Sequence, residues 1–265
     1  MIRKLTPEEL EAIPASLDRE RHFLYYSYLT FRKPRTTHYG QFTDQGGLLG
    51  VLAFLEGLPF YAFSVFPVHP SFDFSAVLAF TKKELRLPDE AIGNFIVHEE
   101  DMAALSGQMA FAKPPEKLFL MKHIHHQMLP AADPRVQRLE PSHFDRIEAL
   151  MKKLGTMAFS AEELQYPFYG VMDNERLAAA GGYHIYGADY VELGNIGTDP
   201  AFRRQGLGKM VCAALTRAGA AASPNVYLNV FEQNEAAIRL YRSIGYETVA
   251  IQHIIQFFMP ADSHK

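Results

Sequence analysis

Asn195-Ile-Gly-Thr-Asp-Pro-Ala-Phe-Arg-Arg-Gln-Gly-Leu-Gly-Lys209 decides the reading of this chain. A strand, expected over 190–198, runs into a loop with two glycines, and the loop opens an Ala-rich helix expected from Gly206 to about Ala222. The N–H groups of a first helical turn lack internal partners, and the helix dipole leaves partial positive charge there. Glycine lets backbone approach a ligand closely and reach positive φ. Arg203, Arg204 and Lys209 add cationic charge. The pattern suits a pyrophosphate or a similar anion. It does not fit the two best-known phosphate loops. A P-loop needs glycine where Arg203 stands and Ser or Thr where Met210 follows the lysine. A dinucleotide fingerprint needs glycine where Val211 stands.

Working outward, the second half reads as strand, helix, three strands, helix, strand, helix, strand. Val136–Leu139 is expected as a strand. Ser142–Leu154 is expected as a helix capped by Ser142, with Phe144, Ile147, Leu150 and Met151 on its apolar side. Phe168–Met172 and Leu177–Tyr186 are expected strands about an Asp173-Asn174 turn. Val226–Phe231 and Tyr246–Phe258 follow as strands. Between them lies Asn234-Glu-Ala-Ala-Ile-Arg-Leu-Tyr-Arg-Ser-Ile-Gly-Tyr246. Its Ala237, Leu240, Tyr241 and Ile244 repeat at helical spacing, and Gly245 is expected to end the helix.

Arg203-x-x-Gly206-x-Gly208 followed by Asn234-x-x-Ala237-x-x-Leu240-Tyr241-x-x-x-Gly245-Tyr246 resembles the GNAT superfamily of acyl-CoA-dependent N-acetyltransferases. The resemblance covers roughly residues 135–258 and implies the mixed α/β fold of that family, with acetyl-CoA as co-substrate. It implies that Ile196 and Thr198 offer backbone groups to the pantetheine arm. Arg203, Arg204, Gln205, Gly206, Leu207, Gly208 and Lys209 would hold the pyrophosphate. Asn234 would help hold the cofactor, and Tyr241 would sit near the thioester sulfur. In the histone-acetylating branch a catalytic glutamate stands where Glu192 stands here, which makes Glu192 the candidate base and Glu232 the reserve.

The chemistry supports these roles independently. A lysine-like amine has a pKa of about 10.4 and must lose a proton before it attacks a thioester. The leaving thiolate must gain one, and a tyrosine with a pKa of about 10 is still protonated at neutral pH and can donate it. The expectation is therefore an N-acyltransferase moving acetyl from acetyl-CoA to a primary amine of a small molecule or peptide, by direct attack in a ternary complex. The alternative is a non-catalytic acyl-CoA sensor.

The rest of the chain sets limits. It has 265 residues, 48% hydrophobic and 21% charged, which is globular composition. Lys plus Arg is 26 against 30 for Asp plus Glu, with no basic footprint for nucleic acid. The single cysteine, Cys212, permits no intrachain disulfide and reads as a buried helix residue; a reducing, cytoplasmic setting is expected. The histidines of Lys122-His-Ile-His-His-Gln127 lack neighbouring carboxylates, and no metal is expected. The apolar run Gly47–Val68 is interrupted by Glu56, Gly57, Pro59 and Pro67, so two strands are expected there and no membrane span.

Domain limits are expected at 1–125, an α/β accessory domain resembling a degenerate acetyltransferase half, and 135–265, the acetyltransferase domain. Expected elements of the first half are a Thr6-capped helix, strands at 48–55 and 59–66, a helix near 73–86, a strand at 91–97 and an acidic helix from Glu99. The aromatic stretches Tyr61–Phe66 and Gln165–Tyr169 are expected to line the acceptor site.

Overall fold

A computed structural model describes residues 1–156 and 159–260; the last five residues of the expected 135–265 domain lie outside them. The chain divides into two compact units, one of Met1–Leu118 with the chain from Ala250 onward, the other of Phe119–Val249.

The first unit contains β1 (Ile2–Lys4), α1 (Pro7–Ala12), α2 (Phe23–Leu29), β2 (Thr36–Phe42), β3 (Leu48–Leu55), β4 (Tyr61–Pro67), α3 (Phe74–Leu85), β5 (Ile92–His98) and α4 (Glu99–Ser106). Thr6 caps α1 in a reciprocal box with Glu9. Strands β1 to β4 form an antiparallel meander, and β4 pairs parallel with β5 only at Tyr61↔Gly93 and Ala62↔Asn94. Phe63 and Phe66 are buried in hydrophobic clusters of this unit. They are core residues, which corrects the expectation that this stretch lines an acceptor site.

The second unit draws on β6 (Glu116–His123), β7 (Val136–Leu139), α5 (Phe144–Leu154), β8 (Phe168–Asp173), β9 (Arg176–Tyr186), β10 (Val191–Thr198), α6 (Leu207–Ala222), β11 (Val226–Phe231), α7 (Glu235–Arg242) and the start of β12 (Tyr246–Phe258). Strands β7 to β10 form an antiparallel meander, β10 pairs parallel with β11, and β6 lies beside β11. The two units thus share one plan: four antiparallel strands, a helix, a parallel fifth strand, a second helix, and a sixth strand. In each, the sixth strand comes from far away in sequence. Residues 252–258 of β12 pair antiparallel with β5 in the first unit, and Phe119–His123 of β6 belongs to the second.

Two caps differ from expectation. Ser142 does not cap α5. Glu140 and His143 cap each other across a short 3-10 turn, Pro141–His143, which leads into the helix. The helix α7 ends at Arg242 with Ser243 as its C-cap, and Gly245, at φ +101°, makes the turn into β12. A Cβ at Gly245 would collide with the His125 backbone, so glycine is required there twice over.

Candidate functional site

The site begins where β10 leaves the sheet. The ladder from β10 to β11 runs Val191↔Val226, Glu192↔Tyr227 and Leu193↔Leu228 and stops. On the other side, β10 gains one extra residue against β9 between Gly194 and Gly197. Asn195 sits in this bulge at φ +55°, a conformation asparagine tolerates better than most residues. A bulge bends its strand and breaks the pairing. The stretch Ile196–Thr198 is thereby turned away from β11, with backbone groups available to a ligand lying between the two strands.

The loop that follows is pinned. Asp199 is buried, caps the turn Pro200–Phe202 by accepting from the Ala201 N–H at 3.0 Å, and accepts from Lys153 Nζ at 2.8 and 2.9 Å. Arg176 lies 3.7 Å away. These partners, Lys153 first and the Ala201 N–H second, hold the Asp199 carboxyl below its ordinary range. Arg204 (φ +64°) and Gly206 (φ +77°) then turn the chain left-handed twice in three residues. An arginine held in that region stores strain of the kind found at ligand-binding loops.

Gly206 is the N-cap of α6 and brings no side-chain cap. The N–H groups of Leu207, Gly208 and Lys209 therefore have no intrahelical acceptor. They open on a hollow of about 210 Å³ lined by Thr198, Phe202, Arg203, Arg204, Gly206, Leu207, Gly208, Lys209 and Leu240. A Cβ on Gly208 would stand 3.3 Å from Thr198 Oγ1 and 3.7 Å from Leu240 Cδ1, inside this hollow. Bare backbone, three cations and a helix start in one concavity fit the pyrophosphate of an acyl-CoA. The matching helix of the first unit is closed: Asp73 caps α3 with its own carboxylate, which accepts from the Ala76 N–H.

Not every expected residue meets at the hollow. Thr198, Arg203, Arg204, Gly206, Leu207, Gly208 and Lys209 do. Ile196 lies in the opened strand beside it. Gln205 is exposed and outside the lining. Asn234 Oδ1 accepts from the Ala237 N–H as the N-cap of α7, and Asn234 does not line the hollow. Glu232 is exposed after β11.

Tyr241 is buried on α7, in one hydrophobic cluster with Leu193, Leu228 and Val230. Burial, then the neighbouring Cys212, raises its hydroxyl above the usual phenol range, so it holds its proton. No hydrogen bond engages that hydroxyl among the described residues. Side chains alternate along a strand. Glu192 and Asn229 therefore present the opposite face from Leu193 and Leu228. Glu192 is buried, and its Oε1 accepts from Asn229 Nδ2 at 3.0 Å. Sequence reasoning missed Phe202 and Leu240 in the lining and Asp199 as the loop anchor. The Asp-Pro pair at 199–200, a turn and cap signal, was the cue for Asp199.

Cys212 is fully buried, and burial pushes its thiol up to about 12, leaving no thiolate for chemistry. His123 is buried with Nε2 3.1 Å from the Ile244 carbonyl, and no cluster of three or more His, Cys, Asp or Glu fit for a metal occurs among the described residues. Nor is any described helix long and apolar enough to cross a membrane.

Residues 130–246 match the model of the Acetyltransferase (GNAT) family. This part of the chain has the mixed α/β GNAT fold. N-alpha-acetyltransferase RimI of Mycobacterium tuberculosis is 34% identical over 76 residues, 28% of this chain and 45% of that protein. The chain spans less than half the length of the curated relatives it matches. A GCN5-related N-acetyltransferase from Sphaerobacter thermophilus superposes with a TM-score of 0.70 at 13% identity, over 98% of this chain and 96% of that one. A tandem GNAT protein from the clavulanic acid biosynthesis pathway, solved without AcCoA, gives 0.67 at 14% identity over 99% of each chain. At such identities the likeness is one of fold.

Proposed function

We propose that this protein is an acyl-CoA-dependent N-acyltransferase that moves acetyl from acetyl-CoA to a primary amine of a small molecule or peptide. The observation that carries this reading is the uncapped start of α6 beside the gap between β10 and β11. An anion-binding helix end and an opened strand edge adjoin, as a phosphate-tailed thioester requires.

Gly206 to Lys209, with Arg203 and Arg204, bind the pyrophosphate. The backbone of Ile196–Thr198 holds the arm in the opened strand edge. Acetyl-CoA, when bound, supplies an activated acyl carbon. Tyr241, kept protonated by burial, donates to sulfur as it leaves. Glu192, on the other face of the strand and held by Asn229, is the base that takes the proton of the attacking amine. The acceptor attacks directly, because the chain's one thiol is buried and protonated. The name of the RimI relative favours including peptide N-termini among the acceptors. The tandem relative and the shared plan of the two units support reading the first unit as an acetyltransferase-like half whose helix start has been closed by Asp73.

The test is product formation. Purified protein is incubated with acetyl-CoA and a panel of polyamines, amino acids, aminoglycosides and N-terminal peptides, with mass detection of acetylated product. An acetylated amine whose yield falls on Tyr241→Phe supports the reading. CoA binding with no product from any acceptor would favour a sensor instead.

A further inference from the structure

The first unit has a strand gap of its own. Strands β4 and β5 pair at Tyr61↔Gly93 and Ala62↔Asn94 and then part. Beyond those pairs a cavity of about 10 Å³ lies against residues 64–65 of β4 and 96–98 of β5, with room for one oxygen-sized group. Arg21 and His22 ahead of α2, Tyr25 on α2, Asp101 on α4 and Gln252 on β12 give it polar walls, all within this unit. The Arg21 side chain is 37% exposed, so the cavity is reached from the surface beside it. Four buried side-chain atoms of the wall residues have no hydrogen-bond partner among the described residues: Arg21 Nε, His22 Nε2, Tyr25 Oη and Ser64 Oγ. Tyr25 and Ser64 are each 1% exposed. Buried polar atoms are normally paired, so four around one cavity point to an occupant.

The charges around the cavity are already matched. Arg21 Nη1 donates to Glu100 Oε2 at 2.7 Å and Nη2 to Asp101 Oδ1 at 2.6 Å. Asp101 Oδ2 is 3.6 Å from His22 Nε2, beyond hydrogen-bond reach. His22 Nδ1 is 3.2 Å from the Asp18 carbonyl oxygen, which only accepts, so Nδ1 carries the hydrogen and Nε2 of the neutral ring offers a lone pair. Burial, outweighing the pull of Asp101, lowers the His22 pKa and keeps the ring neutral at pH 7. The needs of the four atoms then select the occupant. Arg21 Nε only gives a hydrogen, His22 Nε2 only takes one, and the two hydroxyls do either. A carboxylate, phosphate or halide cannot donate. An ammonium cannot accept, and a primary amine is an ammonium at neutral pH. An amide or a carboxylic acid spreads the two functions over two heteroatoms and exceeds the space. One hydroxyl oxygen does both.

We propose that this cavity binds a small neutral alcohol. The ligand hydroxyl donates to His22 Nε2, and its lone pairs accept from Arg21 Nε and from Tyr25 or Ser64. Leu24 and Ile96, which also line the cavity, meet the attached carbon; a water would gain nothing from them. The Tyr25 ring, stacked on Phe66 with centroids 5.2 Å apart, holds its hydroxyl in place. No bond is made or broken, so this is a binding site and not a second reaction centre.

The test is nitrogen-15 NMR of the full chain, titrated separately with ethylene glycol, acetate and methylammonium as hydroxyl, carboxylate and ammonium probes of similar size. Ethylene glycol should give saturable shifts at residues 21–25, 64–65 and 96–98, and the two ions none there. Y25F and S64A each remove a hydroxyl that has no protein partner, and phenylalanine keeps the stack on Phe66. Both variants, and the two combined, should therefore fold with a Tm close to wild type. Combined, they should weaken glycol binding by about 3- to 10-fold, the worth of one neutral hydrogen bond. Glycol shifts that the combined variant leaves unchanged would overturn the proposal. Saturable binding of acetate or methylammonium in place of glycol would overturn the hydroxyl assignment. No saturable shift with any probe would mean a resident water only, and would overturn it as well.

Discussion

Substituting Gly208 by alanine separates the binding of the cofactor from the stability of the fold. Gly208 is the second residue of α6 and has no positive φ. Alanine there gains helix propensity, at most about 1 kcal/mol in a helix interior and less in a first turn. The new methyl would lie 3.3 Å from Thr198 Oγ1, slightly too close, and the Thr198 side chain must yield. The two effects oppose each other, so G208A should unfold within about 1 kcal/mol of wild type. Binding should respond very differently, since the methyl enters the hollow that the phosphates need. Displacing one charge-assisted N–H···O contact costs about 1.5–3 kcal/mol, a factor of about 10 to 150 in Kd. Calorimetric titration with acetyl-CoA, beside urea unfolding of both proteins, reads the two quantities. A G208A protein with wild-type stability and a Kd within threefold of wild type would refute the placement of the phosphates at this helix start.

Three other outcomes follow from the same structure. Tyr241→Phe should lower kcat by about 10- to 1000-fold and leave acetyl-CoA affinity nearly unchanged; steady-state kinetics with calorimetry decides, and an unchanged kcat removes the tyrosine from the chemistry. A fragment beginning at Arg135 should fail to unfold cooperatively. It lacks Leu120 and Met121, both fully buried on β6, and it leaves Ile255 and Phe257 without β5. Losing two such side chains costs about 4–10 kcal/mol, comparable with the stability of a whole domain; a sharp thermal transition in that fragment would contradict this. Finally, burial pulls His38 down to about 4. Unfolded histidine titrates near 6.5, so the folded form is favoured in full above that pH and loses stability as pH falls toward 4, by at most about 3 kcal/mol. Urea midpoints at pH 7 and 4.5 should converge in H38Q relative to wild type, and an identical slope in both would contradict it.

Sequence order made the second unit legible and concealed much of the first. The elements from Phe168 to Phe258 announce themselves through local signals. Gly206 marks the start of α6, a turn at Asn174-Glu175, one residue on from the expected place, joins β8 to β9, and the stripe on α7 reaches Tyr241. In the first half, β2 was hidden because its Thr36–Phe42 run carries His38, Gly40 and Gln41 between apolar residues. The helix α2 was hidden because Phe23–Leu29 is aromatic or leucine at every position but Ser27 and buried on most sides, so it shows no helical period. The exchange of sixth strands could not be read at all, since strand pairing across such separations leaves no local trace. The same holds for the candidate site. The glycines of the loop declare themselves, while the Asp199 contacts with Lys153 and Arg176 join a loop, a helix and a strand that only folding brings together.

The central claim is that the helix start after β10 binds acyl-CoA through its phosphates. The most direct measurement is a thermal-shift titration with acetyl-CoA, run beside free CoA and ATP. Ligand at about 100 times its Kd adds about 2.7 kcal/mol to the folded state, several degrees in Tm for a domain of this size. A saturable rise with acetyl-CoA and CoA, absent with ATP and abolished by Gly206→Glu, is the predicted result. No shift with either CoA species, on well-folded protein, would contradict the account.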